Sequence, residues 1–234
     1  MANIWHIIAV VVLSVVLVGG LAYWLEFGEE KQGETLLEGE SELIGPLAPE
    51  ELAVNNPGIT NDMNRIATFT TNKGVIKMEL FEDQMPVTTG NFVKLAEEGF
   101  YNGTKFHRVI DGFMVQGGDP NSKGADTSSY GTGGPNYTIQ DEFVAGALLT
   151  NTRGTIAMAN TGQPNSGGSQ FFINLVDNTG LDFDKEPHAS RHPVFGRVVE
   201  GMDIVDEIAK VETDPRDVPV DPIVIETITI GQGE

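Results

Sequence analysis

The side chains able to do chemistry crowd into a few stretches. Phe106-His107-Arg108-Val109-Ile110 and Phe113-Met114-Val115-Gln116 are short β-prone runs on either side of Asp111-Gly112, which is a turn signal. On two adjoining strands Arg108, Phe113 and Gln116 can point outward to one surface, while His107 faces the opposite way from Arg108. Met114, next to Phe113, is expected on the other face from it. Further on, Met158-Ala159-Asn160 and Gly168-Ser169-Gln170-Phe171-Phe172-Ile173 bring more amide and aromatic groups, and His188 and His192 stand four residues apart. Taken singly, Arg108 is a solvent-facing strand arginine and each phenylalanine is core packing.

Several chemistries are excluded. The chain has no cysteine, so it has no thiolate nucleophile, disulfide framework, thiolate zinc site or Cys-ligated iron–sulfur cluster. His188 and His192 have a metal-like spacing, but no H-E-x-x-H surrounds them and the region reads as loop, so no metal is expected. Gly117-Gly118 lies in neither a P-loop nor a G-x-G-x-x-G context. No cofactor is expected. Lys plus Arg is 14 against 34 Asp plus Glu, a formal charge of −20, which argues against nucleic acid as a partner because phosphate binding needs a basic face. Asn102-Gly103-Thr104 and Asn136-Tyr137-Thr138 are glycosylation sequons, with meaning only in a eukaryotic secretory context.

These residues need a scaffold, and residues 65–234 read as one β-rich domain. Runs at 65–71 and 75–80 flank Asn72-Lys73-Gly74, a hairpin signal. Residues 88–98 switch to helical spacing, with Phe92, Leu95 and Ala96 on one face and Gly99 as a stop. Strands follow at 106–110, 113–116, 154–159, 170–175 and 194–199. A second helix at 202–210 turns Met202, Val205, Ile208 and Ala209 to its apolar side, and an alternating strand at 223–230 comes last. About eight strands and two short helices suggest an all-β-dominated barrel or sandwich. The long loops 117–136 and 176–193 are candidate functional segments.

The first 64 residues stand apart. Residues 2–25 carry no Asp, Glu, Lys or Arg, and Trp5, Tyr23 and Trp24 sit at the ends of the apolar run. This predicts a single transmembrane anchor, with an uncleaved or cleaved signal as the rival reading. Residues 26–62 hold ten acidic residues and one lysine. That composition predicts a flexible acidic linker over 26–64. A short tail before a single apolar segment places the large domain extracytoplasmically, as a single-pass membrane protein.

Together, the blocks at 106–110 and 112–119, at 158–160, at 168–173 and at His192 with Val194-Phe195-Gly196 resemble the signature of cyclophilin-type peptidyl-prolyl isomerases. Asn91-Phe92, Leu95 and Gly99-Phe100-Tyr101 fit the helix before it. The blocks keep the family's order and cover essentially all of 65–234. The resemblance implies a closed eight-stranded antiparallel β-barrel with a helix over each open end.

The resemblance also implies an activity. An X–Pro bond rotates in tens to hundreds of seconds, held back by amide resonance. A catalyst must bind the twisted bond better than either planar form. Twisting localises a lone pair on the prolyl nitrogen, and a guanidinium aimed there stabilises it, being always protonated and directional. By resemblance Arg108 takes this role, with Phe113, Gln116 and His192 as further catalytic positions. Met114, Phe172 and Leu181 would line the proline pocket. Gln116 and Asn160 would anchor the substrate backbone, Gln170 would support them, and Ala159 would border the neighbouring pocket. The implied partners are proline-containing polypeptides, met by a monomeric catalytic domain. The same groove could instead serve a non-catalytic proline-peptide chaperone or scaffold, and Arg108 favours the enzyme. One position departs from the family. Gly180 stands where a tryptophan often precedes the equivalent of Leu181, so weak or no binding of the cyclic peptide cyclosporin is expected.

Overall fold

The computed structural model describes residues 64–186 and 191–233. The expected anchor and nearly all of the acidic linker lie outside the described residues, as does His188. Among the described residues no helix is long and apolar enough to cross a membrane.

Strands β1 (Ile66–Thr71) and β2 (Gly74–Leu80) form the expected hairpin. Thr71 pairs with Gly74 across it, and the Thr71 hydroxyl accepts from the backbone N–H groups of Lys73 and Gly74, both at 3.1 Å. Helix α1 (Pro86–Glu97) follows. Proline suits its first turn, where an N–H has no helical partner. Two of the remaining free donors, on Val87 and Thr88, are taken by the Glu142 carboxylate at 3.0 and 2.8 Å. The helix stops at Gly99, which has φ +68. Gly99 N–H donates to Ala96 and Phe100 N–H to Leu95, the paired bonds of a Schellman motif.

The next segment departs from expectation. The predicted strand 106–110 is shortened to β4 (Arg108–Ile110), and a separate strand β3 (Thr104–Lys105) precedes it, joined to it through Phe106 and His107. Then come β5 (Met114–Gly117), β6 (Thr155–Met158), β7 (Phe171–Asn174), β8 (Val194–Glu200), helix α2 (Met202–Ala209) and β9 (Val224–Gly231). They form one nine-stranded sheet in the order β3-β9-β1-β2-β8-β6-β7-β5-β4. The sheet is thus barrel-like and open between β3 and β4, not a closed ring of eight strands. The cause is local. Phe106 N–H donates to Ile223 on one edge, while His107 N–H donates to Gln116 on the other, so one segment serves both edges and its strand character breaks between them.

The interior is aromatic. Phe92 of α1 meets the rings of Tyr101 and Phe195 at 5.2 and 5.3 Å and those of Phe171 and Phe69 at 5.9 and 6.0 Å. All five rings are fully buried. At α2, Val205, Ile208 and Ala209 are buried. Rings and branched side chains packed this closely give the rigid wall on which an outward-facing site can be built.

Candidate functional site

Strand register sets the site. Arg108 pairs with Gln116, Gln116 with Phe172, and Phe172 with Ala157. Directly opposed residues share a face of a sheet, so Arg108, Gln116 and Phe172 form one row across β4, β5 and β7. The intervening row, Val109, Val115, Ile173 and Ile156, is buried. Met114 pairs with Ile110 and Asn174 and lies two residues from Gln116. It therefore shares the face of Gln116, which corrects the expectation based on Phe113. Phe113 lies just before β5, half-buried, outside the strand alternation.

The amide end of the row is held in a chain. Gln170 donates its side-chain N–H groups to the carbonyls of Gly131 and Gly133 at 3.0 and 2.8 Å. Its Oε1 accepts from Gln116 Nε2 at 3.0 Å. Ala159 N–H donates to Gln170 O at 2.9 Å. Asn160 is fixed from both sides of its amide, donating to Arg191 O at 2.6 Å and accepting from Gly162 N–H at 3.0 Å. Gln116, Ala159, Asn160 and Gln170 line a cleft of about 540 Å³ with the backbone of 131–134.

The apolar end gathers the others. The rings of Phe172 and His192 meet edge to face at 5.3 Å. His192 N–H donates to Leu181 O at 3.0 Å. The imidazole Nδ1 lies 3.1 Å from Met158 O, so Nδ1 carries the proton of the neutral ring. Burial pushes the His192 pKa down, with the Met158 carbonyl opposing. The ring is thus uncharged at neutral pH, as a pocket for a proline ring requires. Register thus puts Arg108, Met114, Gln116 and Phe172 on one face, Ala159, Asn160 and Gln170 line the cleft beside Gln116, and His192 packs on Phe172, while Leu181 is tied in through its carbonyl and Phe113 lies just before β5.

Four positions that the sequence reading missed hold the apolar end from behind. Asn151 is fully buried and donates to Asp182 Oδ1 at 2.9 Å and to His192 O at 3.1 Å. Asn174 donates to Asn151 Oδ1 at 3.1 Å. Asn178 donates to Asn174 Oδ1 at 2.8 Å and to Phe113 O at 2.9 Å. One network thus fixes Phe113, His192 and the turn Thr179–Leu181. Apart from the Asn174–Asn178 bond, which joins residues four apart, the partners lie tens of residues away in the chain.

Arg108 is exposed on the surface. Its Nε donates to Asp217 Oδ2 at 3.4 Å. His107 is turned inward as expected and is 3% exposed. Among the described residues its two ring nitrogens have no hydrogen-bond partner, and burial pushes its pKa down, with the nearby Asp119 charge opposing.

Comparison with known proteins agrees with this geometry. The family model described as cyclophilin type peptidyl-prolyl cis-trans isomerase/CLD matches residues 66–230. Peptidyl-prolyl cis-trans isomerase B of Escherichia coli is 44% identical over 174 residues, which span 71% of this chain and all of that protein. Peptidyl-prolyl cis-trans isomerase-like 1 of Mus musculus is 42% identical over 156 residues, 66% of this chain and 86% of that one. A cyclophilin-type isomerase of Cryptosporidium parvum, solved in the presence of the dipeptide Ala-Pro, superposes with a TM-score of 0.62 at 31% identity. That match covers 72% of this chain and 99% of the other. The chain belongs to the cyclophilin-type peptidyl-prolyl cis-trans isomerase family, and its activity is peptidyl-prolyl cis-trans isomerisation.

Proposed function

We propose that isomerisation runs through Arg108 as the donor to the twisted prolyl nitrogen, with the proline ring against Phe113, Met114, Phe172 and Leu181. The observation that carries this reading is the row Arg108–Gln116–Phe172, which sets a permanent cation, an amide and an aromatic floor side by side. The amide of Gln116, fixed by Gln170, and the main chain at Asn160 hold the substrate backbone on either side of the rotating bond. His192 stays neutral and closes the apolar end. The Ala-Pro dipeptide present with the Cryptosporidium relative supports a dipeptide-sized recognition unit here.

The donor acts only on the twisted state, where the nitrogen lone pair is available. It therefore lowers the barrier without tightening the ground state. Each tenfold in rate needs about 1.4 kcal/mol of such differential binding. The test is exchange NMR on a short X–Pro peptide with the full-length chain, wild type against Arg108→Ala. Turnover is expected to fall about a hundredfold or more, as for loss of a preorganised donor. A folded Arg108→Ala chain that turns over at the wild-type rate would refute the role.

We propose further that residues 1–25 anchor the chain in a membrane and that 26–64 tether the isomerase domain, 65–234, outside it. The support is the charge-free apolar run with its terminal aromatics and the acidic stretch behind it. The clients are then polypeptides folding beyond the membrane. Carbonate washing of membranes and protease shaving of intact cells test this. Release by carbonate, or a shaved cell with an intact domain, counts against it.

A further inference from the structure

Among the described residues, Asp217 is one of two non-glycine positions with left-handed backbone, at φ +65. Such a conformation costs free energy and persists where its surroundings impose it. Here they do. Asp217 N–H donates to Asp214 O at 2.9 Å, and Asp214 N–H donates to Val218 O at 2.8 Å. The Asp214 carboxylate accepts from the N–H groups of Arg216 and Val218 at 2.8 and 3.0 Å. Arg216 ties the turn to Thr127 Oγ1 at 2.8 Å. The Asp217 carbonyl accepts from Val109 N–H at 2.8 Å, so the turn is registered on the residue next to Arg108. Its carboxylate then meets Arg108 Nε at 3.4 Å.

As a stabilising ion pair this contact would achieve little, since both side chains are about two-fifths exposed and water screens such pairs. As a geometric device it achieves more. A guanidinium is planar, so fixing Nε fixes the plane in which the two terminal nitrogens lie. Among the described residues neither Nη1 nor Nη2 of Arg108 is bonded, which leaves both for the substrate.

We propose that Asp217 is a positioning residue for catalysis, holding Arg108 by Nε so that its terminal N–H groups face the rotating bond. This rests on the reading of Arg108 as the donor. Orientation of a donor matters most in the transition state, so the loss should fall on kcat and spare KM.

Two variants test it in the full-length chain. Asp217→Gly keeps the left-handed backbone and removes the carboxylate. Asp217→Asn keeps the backbone preference and one acceptor oxygen without the charge. With an X–Pro peptide, Asp217→Gly is expected to lower kcat about tenfold with KM changed less than about twofold, and Asp217→Asn to fall between it and wild type. The ¹⁵N–¹H resonance of Arg108 Nε should shift or broaden in Asp217→Gly. On the Arg108→Ala background, Asp217→Gly should remove nothing more. Wild-type kcat in folded Asp217→Gly or Asp217→Asn, while Arg108→Ala is impaired, overturns the role of Asp217 alone. So does an equal loss on both backgrounds. Wild-type turnover in Arg108→Ala overturns the donor reading itself, and this proposal with it.

Discussion

Gln116 and Gln170 hold each other in one orientation. Gln170 spends its amide N–H groups on the carbonyls of Gly131 and Gly133, so only its oxygen remains to face Gln116, which donates to it at 3.0 Å. The amide of Gln116 is thereby turned so that its own oxygen is the free acceptor for a substrate N–H. Gln170→Ala releases both Gln116 and the 131–133 backbone. The expected outcome is a rise in KM of about fivefold, equivalent to about 1 kcal/mol, for loss of one oriented hydrogen bond. Steady-state kinetics on X–Pro peptides would show it, and an unchanged KM would remove Gln170 from the site.

The asparagine network behind the proline pocket is buried, so it is sensitive to a missing member. Asn174→Leu keeps the branched shape but leaves one N–H of Asn178 Nδ2 and the Oδ1 of Asn151 without the partner that Asn174 supplies. A destabilisation of about 2–4 kcal/mol is expected, because each stranded group carries its own desolvation cost. Urea denaturation measures it. A variant as stable as wild type would mean that the network is replaceable by apolar packing.

Two histidines make stability depend on pH. Burial holds both His107 and His192 below their ordinary value of 6.5, so the unfolded chain binds more protons than the folded one once the pH drops below that value. Their contribution is fully present above about pH 6.5 and is lost as pH falls through and below it, by up to about 1.4 kcal/mol per pH unit for each group. Glu79, Asp126, Asp206 and Asp214 are also shifted down, from 4.5 or 3.8, and their losses begin only at more acid pH. Urea midpoints at pH 8 and pH 5.5 isolate the histidine window. His107→Phe should flatten the difference, and equal wild-type midpoints at the two pH values would contradict the shifts.

Gly180 leaves open space at its Cα beside the apolar end, since a Cβ placed there meets nothing within 4 Å. Gly180→Trp therefore meets no clash at Cβ and would supply the ring that the family often has at this position. Cyclosporin affinity, read by calorimetry, should rise about tenfold or more, as one added aromatic contact allows, while turnover of a short peptide stays near wild type. No gain in affinity would mean that the departure from the family lies elsewhere in the 176–193 loop.

The sequence told most where chemistry and periodicity coincide. Strand alternation brought Arg108 and Gln116 to one surface, the signature blocks added Phe172 by resemblance, and both helices sit within two residues of their predicted bounds. The shortening of the 106–110 strand and the separate strand at 104–105 were not readable, because they depend on which partner each N–H finds. Alternation argued against the pocket place that the resemblance gives Met114 for a related reason: Phe113 precedes the strand, so counting from it starts one residue too early. Glu142 at the start of α1, the asparagine network and Asp217 were out of reach for another reason. Apart from the Asn174–Asn178 bond their contacts cross some twenty residues or more, and their residue types are common in loops.

Phe106 and His107 connect the two edges of the sheet, and Arg108 is the next residue along. The donor thus stands at a seam. The amide protons of Phe106 and His107 are each held by one carbonyl on opposite sides of that seam, so their exchange with solvent records how often it parts. A client seated on Arg108 braces the same seam, and tighter clients should slow that exchange in proportion to their occupancy. With clients seated on Arg108 as proposed, that exchange would serve as an internal gauge of loading, readable without watching the proline turn.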